Sequence, residues 1–258
     1  MFNFHALGKS ITDNLLYVCE FALIIAAVFL VAYAVEKFAK KRNGDTERVL
    51  STRKIAVIGV FSAIATVLHV FDFSVPFAPP FYKLDFSEIP VLVCGFAFGP
   101  VAGVMTEMIK ILLKLVVKGT STAFVGDLAN FVVGCSFVLP ASVLYHFVKT
   151  RTGAILSCIA GTVTITVCGT LLNAVYLLPA FSALYGIPMD ALIGMGSAVN
   201  ARIVDVPTFV LLAVAPMNLL KGASVSLITM LVYKKLSPVI KYGSATRKTP
   251  AMARAAVK

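Results

Sequence analysis

The sequence predicts an all-α membrane protein that has a core of six helices preceded by one extra N-terminal transmembrane helix. Composition is the first reason, since 59% of the 258 residues are apolar and only 14% are charged, against roughly 45–50% and about 25% in soluble domains. The second reason is that the apolar residues form long runs, and a spanning helix needs about 20 of them. The chain therefore has no room for a soluble ATPase domain, and any ATP-driven work needs partner chains.

The distribution of basic residues predicts how these helices thread through the membrane. Of the 23 Lys and Arg residues, 16 lie in the segments 37–54, 149–151 and 234–258. Cytoplasmic loops collect Lys and Arg, so we expect all three segments on the cytoplasmic side. The net charge of +11 is then a topology signal with some contact to anionic headgroups. Nucleic-acid binding is disfavoured, because no basic stripe is interleaved with aromatic residues.

Four segments follow from this threading. Residues 1–36 are the extra N-terminal transmembrane helix, with its N-terminus extracellular, and residues 37–53 are a basic cytoplasmic linker. Residues 54–236 form the six-helix core, and residues 237–258 are a basic cytoplasmic tail. The protein is thus expected to be a multi-pass protein of the cell membrane with its C-terminus in the cytoplasm.

Turn residues divide the core into its helices. A loop rich in Pro and aromatic residues follows the first core helix, and Gly99-Pro100 separates the second from the third. The segment 179–205, with two prolines, is expected to be a second outer loop. The six predicted spans cover residues 54–71, 89–99, 100–117, 125–147 and 153–178, and a last stretch that ends at 235.

Polar residues at membrane depth are the candidates for function, because each is costly there. Glu107 and Lys110 are three residues apart on one predicted helix, which allows either a local ion pair or a functional role. Lys221 lies about 20 Å along the helix from Lys235, too far to reach the cytoplasmic surface. It needs an internal partner, which is a carboxylate on another span, a ligand, or both. The other candidates are Lys114, Asp127, Asn130, Asn173 and Asn218.

Catalytic and metal sites are not predicted. The five cysteines lie in apolar runs without paired spacing and are expected to be small buried side chains. The three histidines are far apart in the chain, and no phosphate-binding loop, nucleophile elbow or zinc motif is present. A membrane-embedded enzyme that uses Glu107 and Lys110 stays as a weaker alternative.

Small residues mark one face of the first core helix. Ala56, Gly59 and Ala63 follow a small-xxx-small spacing, which lets another helix approach closely. That helix belongs either to the same bundle or to a separate membrane subunit.

Four separated blocks resemble one family, the riboflavin-specific S component of energy-coupling factor (ECF) transporters. They are KLDFSEIP at 83–90, FGPVAG at 98–103, GDLANF at 126–131 and APMNLLKG at 215–222. The resemblance covers about residues 54–236. The family's usual Pro-Phe-Asn is Pro-Met-Asn here, so one aromatic contact is missing or supplied elsewhere. The extra N-terminal helix and the linker lie outside the family pattern.

The resemblance implies a transport function. Riboflavin is the expected transported ligand, with no cofactor, and the expected partners are a transmembrane coupling subunit and two cytoplasmic ATPase subunits. Gly59 and Ala63 match the face that meets the coupling subunit. Polar contacts to the flavin ring and ribityl chain are expected from Asp85, Asn130, Asn173, Asn218 and Lys221. The same fold serving folate, thiamine or pantothenate is the nearest alternative.

Overall fold

The computed structural model describes residues 4–42 and 48–245, and every structural statement below concerns these ranges. Two short strands, β1 (Phe73–Ser74) and β2 (Lys83–Leu84), pair antiparallel. Two π-helical turns, π1 (Asn173–Leu177) and π2 (Val210–Val214), interrupt the longest helices. The α-helices are α1 (Phe4–Asp13), α2 (Leu15–Arg42), α3 (Thr52–Val70), α4 (Glu88–Phe98), α5 (Pro100–Lys118), α6 (Val125–Phe147), α7 (Arg151–Leu172), α8 (Leu178–Tyr185), α9 (Met189–Ser197), α10 (Val206–Phe209) and α11 (Ala215–Ala245).

The predicted all-α membrane class is confirmed. Five continuous helical stretches within the described residues are long and apolar enough to span a bilayer, namely α2, α3, α6, α7 through α8, and α10 through α11. Helix α5 has 19 residues but carries charged side chains along its length. Helix α4 has 11 residues, which at 1.5 Å per residue is only about half the thickness of the hydrocarbon core. The count of six core helices plus one therefore stays a prediction.

Loop 1, residues 71–87, packs into the end of the bundle beside the short helix α4. Its apolar side chains Val75, Tyr82 and Leu84 are buried and pack against the first residues of α6, against π1 and α8, and against π2. We call this end of the bundle the loop end. The loop is therefore part of the packed interior.

The predicted basic segments meet at the opposite end, which we call the basic end. The guanidinium of Arg42, at the end of α2, lies 5.7 Å from the ring centre of Phe147, at the end of α6. The hydroxyls of Tyr145 on α6 and Tyr233 on α11 are 3.3 Å apart. The helix ends that carry the basic segments thus lie together, and α11 continues as a helix to Ala245, into the predicted tail.

The extra helix α2 packs against α5 and α6. Phe21 meets Phe131 of α6 edge to face, with ring centres 6.0 Å apart. At the basic end, the buried carboxylate of Glu36 accepts a 2.9 Å hydrogen bond from the Val101 N–H in the first turn of α5, where the helix dipole favours a negative charge. The other side of α2 is exposed, so the expectation of buried cysteines is wrong for Cys19.

The linker predicted at 37–53 is shorter in the structure. Helix α2 extends to Arg42, and the residues from Ser51 onward already cap and form α3, with the Ser51 side chain accepting from the Lys54 N–H. Residues 43–47 of the predicted linker lie outside the described ranges.

Candidate functional site

A network of buried charged groups lies where loop 1, α4, α5 and α11 meet. The ammonium of Lys221 lies 3.2 Å from Asp85 Oδ2 and 3.0 Å from Glu88 Oε1. The ammonium of Lys110 lies 3.3 Å from the same Glu88 oxygen and 2.6 Å from Glu107 Oε1. Glu88 therefore joins the two lysines, and the predicted local pair of Glu107 and Lys110 is part of a larger ion cluster.

Helix α3 contributes to this cluster through His69. Its Nδ1 lies 3.3 Å from Asp85 Oδ2, the oxygen that also faces Lys221. The other oxygen of Asp85 accepts a 2.8 Å hydrogen bond from the Ser87 N–H, and the Ser87 hydroxyl accepts one of 3.0 Å from Lys110. The carboxylate of Asp85 thus ties loop 1 to both α3 and α11.

The cluster is sealed from solvent. None of its six ionisable residues is more than 7% exposed, and these are His69, Asp85, Glu88, Glu107, Lys110 and Lys221. Buried charges are tolerated when they are paired, and removing one partner strands the other. The expectation that Lys221 finds an internal partner is therefore met by two carboxylates, Asp85 and Glu88.

A second polar contact closes loop 1 over π1. The Tyr82 hydroxyl donates a 2.6 Å hydrogen bond to Asn173 Oδ1, and Asn173 Nδ2 donates one of 2.7 Å to the Gly169 carbonyl. The Tyr82 ring lies 6.1 Å from that of Phe209, and Phe81 meets Phe181 edge to face at 6.4 Å. An aromatic cluster thus adjoins the amide of Asn173 through Tyr82.

Asn218 lies on the other side of Gly169. Its side chain is 3% exposed, yet its Nδ2 has no hydrogen-bond partner among the described residues. A Cβ at Gly169 would lie 2.6 Å from this nitrogen, so a residue with a side chain there would displace the amide. A buried donor left unpaired costs about 1–3 kcal/mol, which makes Asn218 a candidate for binding a ligand acceptor.

The two π turns lie close in sequence to these amides, since π1 begins at Asn173 and π2 ends four residues before Asn218. A proline accounts for the wider turn in each case. The Leu178 N–H bonds to the Asn173 carbonyl and the Ala215 N–H to the Val210 carbonyl, five residues back, and a proline follows each donor. Proline lacks an N–H and clashes with the carbonyl four residues earlier, and a wider turn moves that carbonyl away. Such π turns are frequent at functional sites.

The structure brings together four of the five predicted substrate-binding residues. Asp85 contacts Lys221 directly, while Asn173 and Asn218 both adjoin Gly169. Asn130 is not in this group, since it is exposed on α6 and makes no side-chain hydrogen bond within the described ranges. It lies five residues after the start of α6, at the loop end.

Three residues that the sequence prediction did not assign complete the site, namely His69, Tyr82 and Glu88. Tyr82 lies in the loop rich in Pro and aromatic residues, and Glu88 lies in the block that resembles the family. Those positions indicated that Tyr82 and Glu88 could be functional. Neither the spacing of the blocks nor the hydropathy indicates which side chains they contact. Their contacts depend on how loop 1 folds back onto α3, α5 and π1.

The predicted docking residues lie on the opposite face of α3. Ala56, Gly59 and Ala63 are exposed, and a Cβ added at Gly59 would have no other atom within 4 Å. The small-residue face therefore does not pack inside the described bundle.

Ion pairs at the surface tie loop 1 to α5. Lys83 and Lys118 lie 3.0 and 3.2 Å from the Asp72 carboxylate. Partial burial would raise the pKa of Asp72, but the hydrogen bonds and charges of the two lysines outweigh it and lower the pKa. Deeper in the bundle, Lys114 of α5 lies 2.6 Å from Asp127 of α6.

A bundle of apolar helices whose buried polar groups converge beneath one loop is the arrangement of a membrane protein that holds a small polar substrate. Residues 53–233 match the family model described as ECF transporter, substrate-specific component, and the chain belongs to this family. It is a transport component and not an enzyme, so the interpretation of Glu107 and Lys110 as catalytic is wrong. Helices α1 and α2 lie outside the matched residues.

Relatives extend over the same region. The chain is 31% identical over 193 residues to the riboflavin transporter FmnP of Bacillus subtilis (strain 168), covering 74% of this chain and 96% of the relative. It is 31% identical over 189 residues to the riboflavin transporter RibU of Staphylococcus aureus (strain TCH60), covering 73% and 93%. A solved structure described as the S component of a bacterial ECF transporter shares 32% identity and a TM-score of 0.57, over 73% of this chain and 98% of that chain.

Proposed function

We propose that this chain binds riboflavin at the outer face of the cell membrane and passes it inward, using ATP hydrolysed by partner subunits. The observation that carries the proposal is that the chain spans 96% of a relative named as a riboflavin transporter at 31% identity. The partners are a transmembrane coupling subunit and two cytoplasmic ATPases, as the family implies. The described fold supports this division of labour, since its residues form a helical bundle with short connections.

The ligand would bind at the loop end, between loop 1, π1 and the start of α11. The flat isoalloxazine ring requires apolar and aromatic walls, which Tyr82, Phe181 and Phe209 supply around the amides. The unpaired Nδ2 of Asn218 suits a carbonyl oxygen of the ring, and the exposed amide of Asn130 suits a second polar group. These two side-chain amides can bind a ligand without losing a hydrogen bond to any of the described residues.

Three other proposed contacts are already engaged. Asn173 accepts from Tyr82, and Asp85 and Lys221 face each other. For these groups to hydrogen-bond to a flavin, loop 1 must first break its contacts to Asn173 and Lys221. Binding is therefore expected to rearrange loop 1, with Tyr82 leaving Asn173 as the ligand arrives.

Flavin binding by the purified protein tests the proposal. Riboflavin titrated at micromolar concentration should lose fluorescence on binding, whereas folate, thiamine and pantothenate should not compete. Asn218→Leu removes the amide at nearly constant shape and should weaken binding roughly 10-fold or more, the loss expected for one buried hydrogen bond. Asn200→Leu, in the loop after α9, is the matched control and should bind as the wild type does. A protein that leaves flavin fluorescence unchanged, or one that binds another of these vitamins instead, would exclude the riboflavin assignment.

The proposed orientation places the loop end outside and the basic end in the cytoplasm. Ser121 and Lys149 are exposed in connections at the loop end and the basic end, respectively. In a cysteine-free background, Ser121→Cys should react in intact cells with a thiol reagent that cannot cross membranes, and Lys149→Cys should react only after permeabilisation. The reverse pattern would overturn the orientation.

A further inference from the structure

A cavity of about 610 Å³ lies at the basic end, between the last turns of α2 and the residues that lead into α3. Its described lining consists of Tyr33, Lys37, Lys40, Lys41, Arg48, Val49 and Leu50. All of these residues precede the 53–233 region that matches the family. The cavity is therefore a feature of the N-terminal extension and is separate from the site at the loop end.

Basic residues make up most of the described lining of this cavity. Four of the seven described lining residues are basic, and none is acidic. Lys37, Lys41 and Arg48 are exposed, so their side chains can reach a ligand that enters from the surface. The Lys37 ammonium lies 6.0 Å from the centre of the Tyr33 ring. Lys40 is buried and interacts within the fold, so the inference does not depend on it.

Both walls of the cavity are anchored to the bundle. The Lys54 ammonium donates hydrogen bonds of 3.1 Å to the Val49 carbonyl and 3.2 Å to the Phe98 carbonyl, which fixes the wall formed by residues 48–50. Glu36 fixes the end of α2 through its hydrogen bond to the Val101 N–H. The basic groups are thus held in place around an open cavity, which distinguishes them from bases on an unattached tail.

The position and the mixed lining define the ligand class. Helix α2 exposes large apolar side chains up to Phe38, which is 63% exposed, so the cavity opens where an apolar helix surface meets a cluster of bases. An Arg and two Lys suit phosphate oxygens, while Tyr33, Val49 and Leu50 suit the apolar part of an amphiphile. In the orientation proposed above, the cavity lies on the cytoplasmic side, where basic pockets between transmembrane helices bind anionic headgroups. We propose that this cavity binds the phosphate headgroup of an anionic phospholipid.

Lipid binding to the purified full-length chain tests this inference. Phosphatidylglycerol and phosphatidylcholine are added to the detergent-solubilised protein, and the bound lipid is counted by native mass spectrometry. The double variant Lys41→Gln/Arg48→Gln should bind phosphatidylglycerol about 30-fold more weakly, since each base near an anionic surface contributes about 1 kcal/mol. The matched control Lys149→Gln/Arg151→Gln removes one Lys and one Arg at the same end but outside the cavity. It should retain wild-type binding.

Each other outcome contradicts the inference. Equal losses of phosphatidylglycerol binding in the two double variants would mean that the bases act only through the general charge of this end. Equal binding of phosphatidylglycerol and phosphatidylcholine to the wild type would mean that the cavity does not distinguish headgroup charge. Displacement of the lipid by millimolar inorganic phosphate would assign the cavity to a free phosphate compound. If the Lys41→Gln/Arg48→Gln protein fails to fold, Lys37→Gln alone is measured in the same way, and unchanged phosphatidylglycerol binding there would overturn the proposal. Riboflavin binding at the loop end should be unaffected in every variant, so this inference and the proposed function fail independently.

Discussion

The two faces of helix α3 differ in residue type and burial, although residues on each face repeat at the same helical spacing. On the inward face, Ser62, Thr66 and His69 are buried. Ser62 and Thr66 donate 3.4 Å hydrogen bonds to backbone carbonyls of α5. On the outward face, Gly59 and Ala63 are exposed and meet no neighbouring helix of the described bundle.

Substitutions on the two faces should therefore have different effects. The inward face is continuous with the ion cluster through His69 and Asp85, so changes there alter the folded protein and its ligand site. The outward face is exposed among the described residues, so changes there should act mainly through a partner. Substitutions in the ion cluster should destabilise the isolated protein most, and substitutions on the outward face should destabilise it least.

Lys110→Met should have the largest effect. It removes the ammonium that lies within 3.3 Å of Glu88 and Glu107. The buried Glu107 carboxylate then loses its lysine, while Glu88 keeps Lys221, and a stranded buried charge typically costs about 3–5 kcal/mol. Thermal unfolding of the detergent-solubilised protein measures the loss. The double variant Lys110→Met/Glu107→Gln removes one charge of each sign and should recover much of the stability. A single variant as stable as the wild type would show that the cluster does not hold the bundle together.

Lys221→Met separates a ligand contact from a purely structural ion pair. The single variant should be less stable, because Asp85 and Glu88 lose a partner. The double variant Lys221→Met/Glu88→Gln keeps the net charge of the cluster and should regain stability. If Lys221 also contacts the flavin, affinity should stay reduced by about 1.5–3 kcal/mol in both variants, roughly 10- to 150-fold. Affinity that returns together with stability would restrict Lys221 to a structural role.

Lys118→Gln should have a small effect that depends on pH. Asp72 would keep only Lys83 as a partner, and its lowered pKa would rise towards the ordinary value. A lowered carboxyl pKa contributes stability above the unfolded pKa, and this contribution disappears as the pH falls through the folded pKa. The wild type should therefore exceed the variant by about 0.2–1 kcal/mol near neutral pH, as exposed pairs do, and the gap should close in acid. A gap that persists after Asp72 is protonated would show that Lys118 acts through packing.

Gly59→Leu should have the smallest effect on the isolated protein and a large one on transport. Because an added Cβ meets no atom within 4 Å, melting temperature and flavin affinity should match the wild type. Uptake by cells that contain the coupling module should be lost, since the leucine blocks close approach of a partner helix. Gly194→Leu on α9 is the matched control, as that glycine also has open space around it. Loss of flavin binding in Gly59→Leu, or equal loss of uptake in both variants, would contradict a docking role.

Much of the fold was predictable because it depends on local properties. Long apolar runs predicted the helices, and the basic segments predicted that their ends lie together. The local pair of Glu107 and Lys110 was predictable because residues three apart share a helix face. The end of α2 at Arg42 was not predictable, since a run of charged residues can either continue a helix or form a loop.

The membrane class, the grouping of basic residues at one end and the need of the buried polar residues for partners all follow from the amino-acid sequence. The identity of those partners follows from the tertiary structure. Lys221 meets Asp85 across 136 positions of sequence, and Tyr82 meets Asn173 across 91. Such contacts depend on how the helices and loop 1 pack in three dimensions. Hydropathy and helical spacing relate only residues that are close in the sequence, so they do not predict these contacts. The same reason left Glu88 unassigned and kept Asn130 apart from the other candidates, although Glu88 and Asn130 both lie in blocks that resemble the family.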